Sequence, residues 1–375
     1  MEQGTIRAAQ RAGRRMADRS TPFVENCWYV AGFAAEFDHA LRARTILGHK
    51  LVLFRTEEGV PVALADRCVH RSFPLSASRL DGDTIICGYH GLQYRSDGVC
   101  IGAPMLAECP RGLAVRSYPT RSQGPLVWIW MGDAAPNAEL PLGDWVADEA
   151  WPSSQQYYHL PASYIALHEN LLDLSHLSFL HAGSFGTPDY AAAPYEVVID
   201  EAGGRFRVTR SVIPTRLPPV WGEPTGLMGR DAARISTSDF LSPAAHVVTA
   251  RFHPLDVPPE QRLDTRIMTA HLATPETPTT THYFIHHGRN FAQDDPTVTG
   301  FMQHHLTIAF TEDVDGLTAV EQMVDATPPD DYFEISLASD RPGVAMRRWL
   351  LKTAQAEAES RQVRVAPTMP LASIS

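Results

Sequence analysis

Cys87-Gly88-Tyr89-His90-Gly91-Leu92-Gln93-Tyr94, preceded by Cys68-Val69-His70, is the stretch on which the reading of this chain turns. The pattern is Cys-x-His, sixteen residues, then Cys-x-x-His. Two thiolates and two imidazoles suit either a tetrahedral zinc or a [2Fe-2S] cluster in which two His replace two Cys on one iron. Zinc ribbons generally pair like ligands on each knuckle, whereas here each loop supplies one sulfur and one nitrogen. A cluster with one iron held by both Cys and the other by both His uses that mixture naturally.

The surroundings are short strands separated by turns. Leu51-Val52-Leu53-Phe54, Glu58-Gly59 and Val62-Ala63-Leu64-Ala65 make a hairpin signal, Asp81-Gly82-Asp83 turns into Thr84-Ile85-Ile86, and Leu126-Val127-Trp128-Ile129-Trp130 reads as a last buried strand. Residues 23–135 are therefore expected to form an all-β domain. Cys27, Cys100 and Cys109 fit neither loop and read as small buried residues.

A second group of polar residues sits in Glu169-Asn170-Leu171-Leu172-Asp173-Leu174-Ser175-His176-Leu177-Ser178-Phe179-Leu180-His181. Its leucines predict a helix buried on most of its circumference. Asn170, Asp173 and His176 recur at steps of three and share one face, so they need a reason to be there. His181 lies about 140° from His176 on an ideal helix, and both reach one ion only if the helix bulges or ends. The chain then turns to strand-like runs at 195–199, 205–208, 245–250, 266–270 and 282–286.

After Pro296 the period becomes helical. Val298, Phe301, Met302, Leu306, Ala309 and Phe310 form one stripe, extended by Leu317 and Val320. Asp313 falls on that stripe, and a buried carboxylate without a partner costs several kcal/mol, so it wants a cation. Glu312 and Asp315 point elsewhere and read as solvated. His176, His181 and Asp313 match the two-His, one-carboxylate triad of non-haem Fe(II) oxygenases. Asp294 and Asp295 are rival carboxylates that read more simply as a helix N-terminus, and His304 and His305 rank lower.

Composition narrows the classes. At 375 residues two domains are the default, and a formal net charge of −11 argues against a nucleic-acid partner. No stretch is apolar enough to span a membrane. Residues 1–22 carry Arg7, Arg11, Arg14, Arg15 and Arg19 without an apolar core, and a disordered or mobile arm is expected. An odd number of cysteines favours a reducing, cytoplasmic location. No Gly-x-Gly-x-x-Gly follows a strand, so a nicotinamide is not expected to bind here.

These motifs resemble the Rieske non-haem iron oxygenase α subunits, and most closely the aryl O-demethylase group of vanillate and dicamba monooxygenases. The carriers are Asn26-Cys27-Trp28-Tyr29-Val30-Ala31, both Cys/His loops, Asn170 to His176 with His181, Arg289-Asn290-Phe291 and Glu312-Asp313; Leu92 departs, where many ring dioxygenases have Trp. The resemblance implies an α+β chain, with the Rieske [2Fe-2S] domain at 23–135 followed by a helix-grip catalytic domain at 136–375, an antiparallel sheet with long helices. It implies that Cys68, His70, Cys87 and His90 hold the cluster and that His176, His181 and Asp313 hold one mononuclear Fe(II). Asn170 and Asp173 are the catalytic candidates beside it, Asp173 linking His176 to His90 of a neighbouring subunit in a homotrimer.

O2 would be the cosubstrate. Two external electrons are needed per turnover and the cluster stores one, so a ferredoxin or flavin reductase should relay them from NAD(P)H. The expected reaction is hydroxylation of a small aromatic substrate, most directly O-demethylation of a methoxylated aromatic acid with release of formaldehyde. Ring cis-dihydroxylation and pure electron transfer stay open as alternatives. Trp221, Met228 and Phe240 are the candidate pocket residues.

Overall fold

The computed structural model describes residues 2–137 and 139–365. The first part builds three small antiparallel sheets. Arg42–Ile46, His49–Arg55, Pro61–Ala65 and Ser117–Tyr118 form one; Arg79–Asp81, Thr84–Ile86, Gln93–Tyr94 and Cys100–Gly102 form the second. In the third, Leu126–Trp130 lies between Trp28–Phe33 and Thr120–Gln123. Val52, Phe54, Leu64, Ile85 and Tyr94 interlock between the two four-stranded sheets, and Cys68 and Cys87 belong to this apolar cluster.

The second part is a seven-stranded antiparallel sheet in the order Ser153–Leu160, Thr280–Arg289, Thr265–Thr277, Ala245–Pro254, Ala232–Ser242, Arg205–Thr215, Tyr195–Asp200. Side chains alternate between its faces. Ala245, Val247, Ala270, Leu272 and Phe284 pack with Trp28, Val30, Trp128 and Trp130 of the first part. Residues between them face the long helix Pro296–Ala326 and the shorter helix Tyr164–Leu172. The sheet is thus covered by the first part on one side and by helices on the other, which is the expected α+β architecture. The polar strands Ser153–Leu160 and Ala232–Ser242 and the helix Arg341–Val365 lie outside the runs read from sequence.

The arm at 1–22 departs from the expected disorder. Gln3–Gly13 is helical, Ala17 is fully buried, and Ala17 N–H donates to the Arg347 carbonyl at 3.0 Å. Arg347 Nε donates back to the Ala17 carbonyl at 2.7 Å while Nη1 meets Glu334 at 2.9 Å and Glu169 at 3.3 Å. Further along, Glu357 accepts from the Glu25 and Asn26 amides, and Arg361 pairs with Glu25 at 2.5 Å. The residues that tie the arm down lie more than 300 positions away, beyond the reach of local sequence reading. Arg347→Ala should lower stability by about 1–3 kcal/mol, read as a lower urea midpoint, and speed tryptic cleavage among Arg7 to Arg19.

Candidate functional site

The two Cys/His loops lie at one end of the first part. Cys68 N–H donates to the Phe73 carbonyl at 2.9 Å, and Cys87 is closed the same way by Cys87 N–H to Leu92 O at 2.8 Å and Gly91 N–H to Cys87 O at 2.9 Å. Gly91 takes φ +74°, a left-handed turn that favours glycine. Both cysteines are buried, whereas His70 is exposed and His90 half-buried, their ring centroids 4.5 Å apart. The Cys87 thiol is pushed up by burial and further by the adjacent Cys68 thiol. Sulfurs lie inward and imidazoles outward.

Zinc requires all four donor atoms around one point. Among the described residues, the His/Cys/Asp/Glu set whose donor atoms all fall within 4.8 Å of one another is His176, His181 and Asp313; the four loop residues make no such set. Separated sulfur and nitrogen pairs fit a two-iron cluster, whose irons sit apart, better than one tetrahedral ion.

The second constellation depends on a break in the helix. Tyr164–Leu172 stops where Asp173 turns extended, at φ −112° and ψ 92°, and a 3-10 turn over Leu174–Ser178 follows. The single helical face expected for Asn170, Asp173 and His176 is thereby interrupted. Asp173 causes the break: its carboxylate accepts from Ser175 N–H at 2.9 Å, a capping bond that competes with continued helix. The chain folds back after Ser178, and the His176 and His181 rings come to 5.1 Å.

Both imidazoles are held by Nδ1. His176 Nδ1 donates to the Asp173 carbonyl at 2.5 Å, and His181 Nδ1 donates to Glu312 Oε2 at 2.8 Å. In the neutral rings each Nε2 is then a lone pair. They face Asp313 Oδ1 at 3.6 Å from His176 and 3.1 Å from His181, and the same oxygen accepts from Asn170 Nδ2 at 2.9 Å. Three acceptors aimed at one another repel. One proton relieves one imidazole, while a divalent cation satisfies both rings and the carboxylate together, so the residues fit a metal ion.

With a proton in place of a metal, His181 and Asp313 pair with each other. Burial pushes the pKa of His176 down. Burial opposes the charge on His181 too, but its bonds to Asp313 and Glu312 raise it. Burial resists ionisation of Asp313, and the His181 bond with the charges of both rings outweighs it and holds the carboxyl below its usual range.

Glu312, read from sequence as solvated, orients His181 and also accepts from Ser184 Oγ at 2.6 Å. A helix position one residue off the apolar stripe still reaches a loop that folds over its edge. Glu312→Gln should weaken iron binding about 10- to 100-fold while leaving the visible spectrum of the cluster unchanged, measured by iron titration of the metal-depleted chain.

The rival residues go elsewhere. Asp295 caps the long helix by accepting from Thr297 N–H at 2.9 Å, Asp294 and His304 are exposed, and His305 packs on Phe301. Val320 is exposed, so the apolar stripe ends at Leu317.

A cavity opens beside His176, His181 and Asp313. Its walls are Leu171, Leu174, Leu177, Phe185 and Trp221, with Leu306 and Phe310 of the long helix. Sheet residues close it by strict alternation: Arg234 and Ser236, Val248 and Ala250, then Ile267, Thr269 and His271. Of the three pocket residues expected, Trp221 lines it. Met228 is half-exposed, and Phe240 is buried among Phe206, His168 and Trp349 instead. Its aromatic character marked Phe240 as a candidate; it shares the strand face of Arg234 and Ser236 but lies farther along, where Trp349 covers it.

Residues 27–119 match the Rieske [2Fe-2S] domain family, and residues 160–356 match the vanillate O-demethylase oxygenase C-terminal domain family. A putative toluene-4-sulfonate monooxygenase system iron-sulfur subunit of Comamonas testosteroni is 33% identical over 88% of this chain and 96% of its own length. The dicamba O-demethylase oxygenase component of Stenotrophomonas maltophilia is 31% identical over 90% and 99%. A crystal structure of dicamba monooxygenase bound to dicamba superposes with a TM-score of 0.81 at 29% identity, over 90% of this chain and 99% of that one. With a Rieske [2Fe-2S] domain, a second site of two His and one Asp fitted to iron, and matches along nearly the whole length, the chain belongs to the Rieske non-haem iron oxygenase components of the vanillate and dicamba O-demethylase group.

Proposed function

We propose that this terminal oxygenase attacks a methyl carbon carried by an aromatic acid, and that its reaction is O-demethylation of a methoxylated aromatic acid with release of formaldehyde. The observation that carries this reading is the apolar cavity with His176, His181 and Asp313 in one wall. It would present a C–H bond of a flat, apolar ligand to the metal while excluding bulk water.

In this reading His176, His181 and Asp313 hold the mononuclear Fe(II), and Cys68, His70, Cys87 and His90 hold the cluster. Bound there, the iron supplies O2 activation and the cluster supplies electrons singly. Glu312 holds the His181 ring at Nδ1, Asn170 fixes the Asp313 carboxylate, and Asp173 locks the His176 tautomer through its carbonyl. Leu171, Leu174 and Leu177 keep water from the reacting carbon. The hydroxylated O-methyl group is a hemiacetal that collapses to a phenol and formaldehyde, and O2 leaves as that hydroxyl oxygen and one water once two electrons and two protons are added.

The donor is a separate ferredoxin or flavin reductase fed by NAD(P)H. His70 and His90, at the outer end of the cluster loops, offer it and a neighbouring copy of the chain an exit for electrons. The chain works as a homotrimer in which Asp173 connects His176 to His90 of the next subunit. The catalytic unit is 136–375, the cluster unit 23–135, and the location the cytoplasm, in keeping with five free cysteines.

A second reading, hydroxylation of an aryl methyl group, is favoured by the toluene-4-sulfonate monooxygenase relatives. Formaldehyde released per NADH consumed, over a panel of methoxybenzoates with a reductase present, tests the choice. One formaldehyde per NADH is expected. Substrate-dependent O2 uptake without formaldehyde would move the assignment to the second reading.

A further inference from the structure

Arg234 is a buried cation in the wall of the cavity. It sits on the strand Ala232–Ser242 with its side chain 3% exposed, lines the same cavity as His176, His181 and Asp313, and makes no ion pair among the described residues. Of the other buried arginines, Arg347 has Glu169 and Glu334, while Arg210 and Arg289 donate to three main-chain carbonyls each. Arg234 differs from these in making a single such bond and in lining the cavity. Its Nη1 donates to the Phe185 carbonyl at 2.8 Å, and its guanidinium lies 4.7 Å from the centre of the Tyr190 ring. Its Nε is buried without a hydrogen-bond partner.

Two neighbours share that condition. Tyr190 is fully buried and Ser236 is 2% exposed; both line the cavity, and the Tyr190 hydroxyl and Ser236 Oγ lack partners. Donors left open in an apolar cavity cost free energy, and a buried unpaired charge costs most. Three such groups around one cavity that must also receive a ligand mark where the ligand is polar.

We infer that Arg234, with Tyr190 and Ser236, receives an anionic substituent of the substrate, a carboxylate or sulfonate on the aromatic ring, and that Arg234 thereby decides which compounds are bound and which carbon is presented to the metal site. This rests on the reading of the cavity as the substrate site. A planar guanidinium pairs with a carboxylate or sulfonate through directed bonds, so the anion anchors one end of the ligand and leaves the other end facing His176, His181 and Asp313. The apolar walls between them hold the ring. A neutral isostere leaves the guanidinium unpaired and loses affinity.

The test compares ortho-, meta- and para-methoxybenzoate with the three matching methoxybenzamides on the oxidised holoenzyme. Binding is measured by equilibrium dialysis without reductant, and turnover by formaldehyde release with reductase and NADH. At least one benzoate should bind about 30-fold or more tighter than its amide. Arg234→Gln should remove that preference by weakening the benzoate, leaving the amide within about threefold, with iron content and circular dichroism unchanged; Arg234→Lys should keep part of it.

Equal binding of acid and amide by the wild-type chain, absence of binding by every benzoate, or a preference that survives Arg234→Gln would each overturn the assignment. Arg234-dependent benzoate binding without formaldehyde would sustain the anion site and refute O-demethylation. Formaldehyde from acid and amide alike would do the reverse.

Discussion

Asp313→Ala should abolish product formation, lowering kcat/KM by more than about 1000-fold, while the red-brown chromophore keeps its intensity and shape. Among the described residues, Asp313 is the only carboxylate whose oxygen lies within 3.6 Å of both imidazole Nε2 atoms, and it comes from a helix remote in sequence from either histidine. Without it, two neutral imidazoles on one turn hold a divalent ion weakly, and Asn170 loses its acceptor. Metal analysis should find the mononuclear iron gone and both cluster irons present, because the cluster loops belong to a different hydrophobic cluster of the fold. If turnover with reductase survives undiminished in Asp313→Ala, the division of labour between the two metal sites is wrong.

Gly186→Ala should produce nearly the same loss without removing any ligand. A Cβ at this position would lie 1.7 Å from the Leu177 carbonyl oxygen, 2.8 Å from its carbon and 2.9 Å from the His181 carbonyl oxygen. These are backbone atoms, so no rotamer relieves the collision. Gly186 N–H also donates to the His181 carbonyl at 2.9 Å, which closes the turn that presents His181. The segment must open by more than an ångström, at a cost of about 3 kcal/mol or more, and His181 leaves Glu312 and Asp313. The expected outcome is a lower melting temperature together with loss of mononuclear iron, with the cluster spectrum retained. A variant that binds iron with wild-type affinity would show that the turn adapts.

The parts of this molecule that can be read from sequence are those whose chemistry contradicts their surroundings. Asp313 on an apolar stripe and His176 among leucines needed an explanation, and the fold brings both into one group that could hold a metal ion. The Cys/His loops carried their own spacing. What escaped reading did so for physical reasons. Ala232–Ser242 lacks an apolar alternation because its cavity-facing positions include Arg234 and Ser236, polar for the sake of the site rather than the core. Ser153–Leu160 is an edge strand with three of its eight residues exposed, Gln155, Tyr157 and His159. The continuous helix expected over 169–181 ends at Leu172 because one capping bond of Asp173 outweighs the helical preference of the leucines around it. Glu312 and Gly186 act through a loop folding back on a helix, a contact that no local period encodes.

The tether between Ala17 and Arg347 spans 330 positions, and Glu25 and Asn26 wait for Glu357 in the same way. The arm is therefore made long before the helix that fastens it, and a chain ending short of Arg347 lacks the partners of Ala17, Glu25 and Asn26. The arm and the first part of the chain are thus fastened by a helix that is synthesised last.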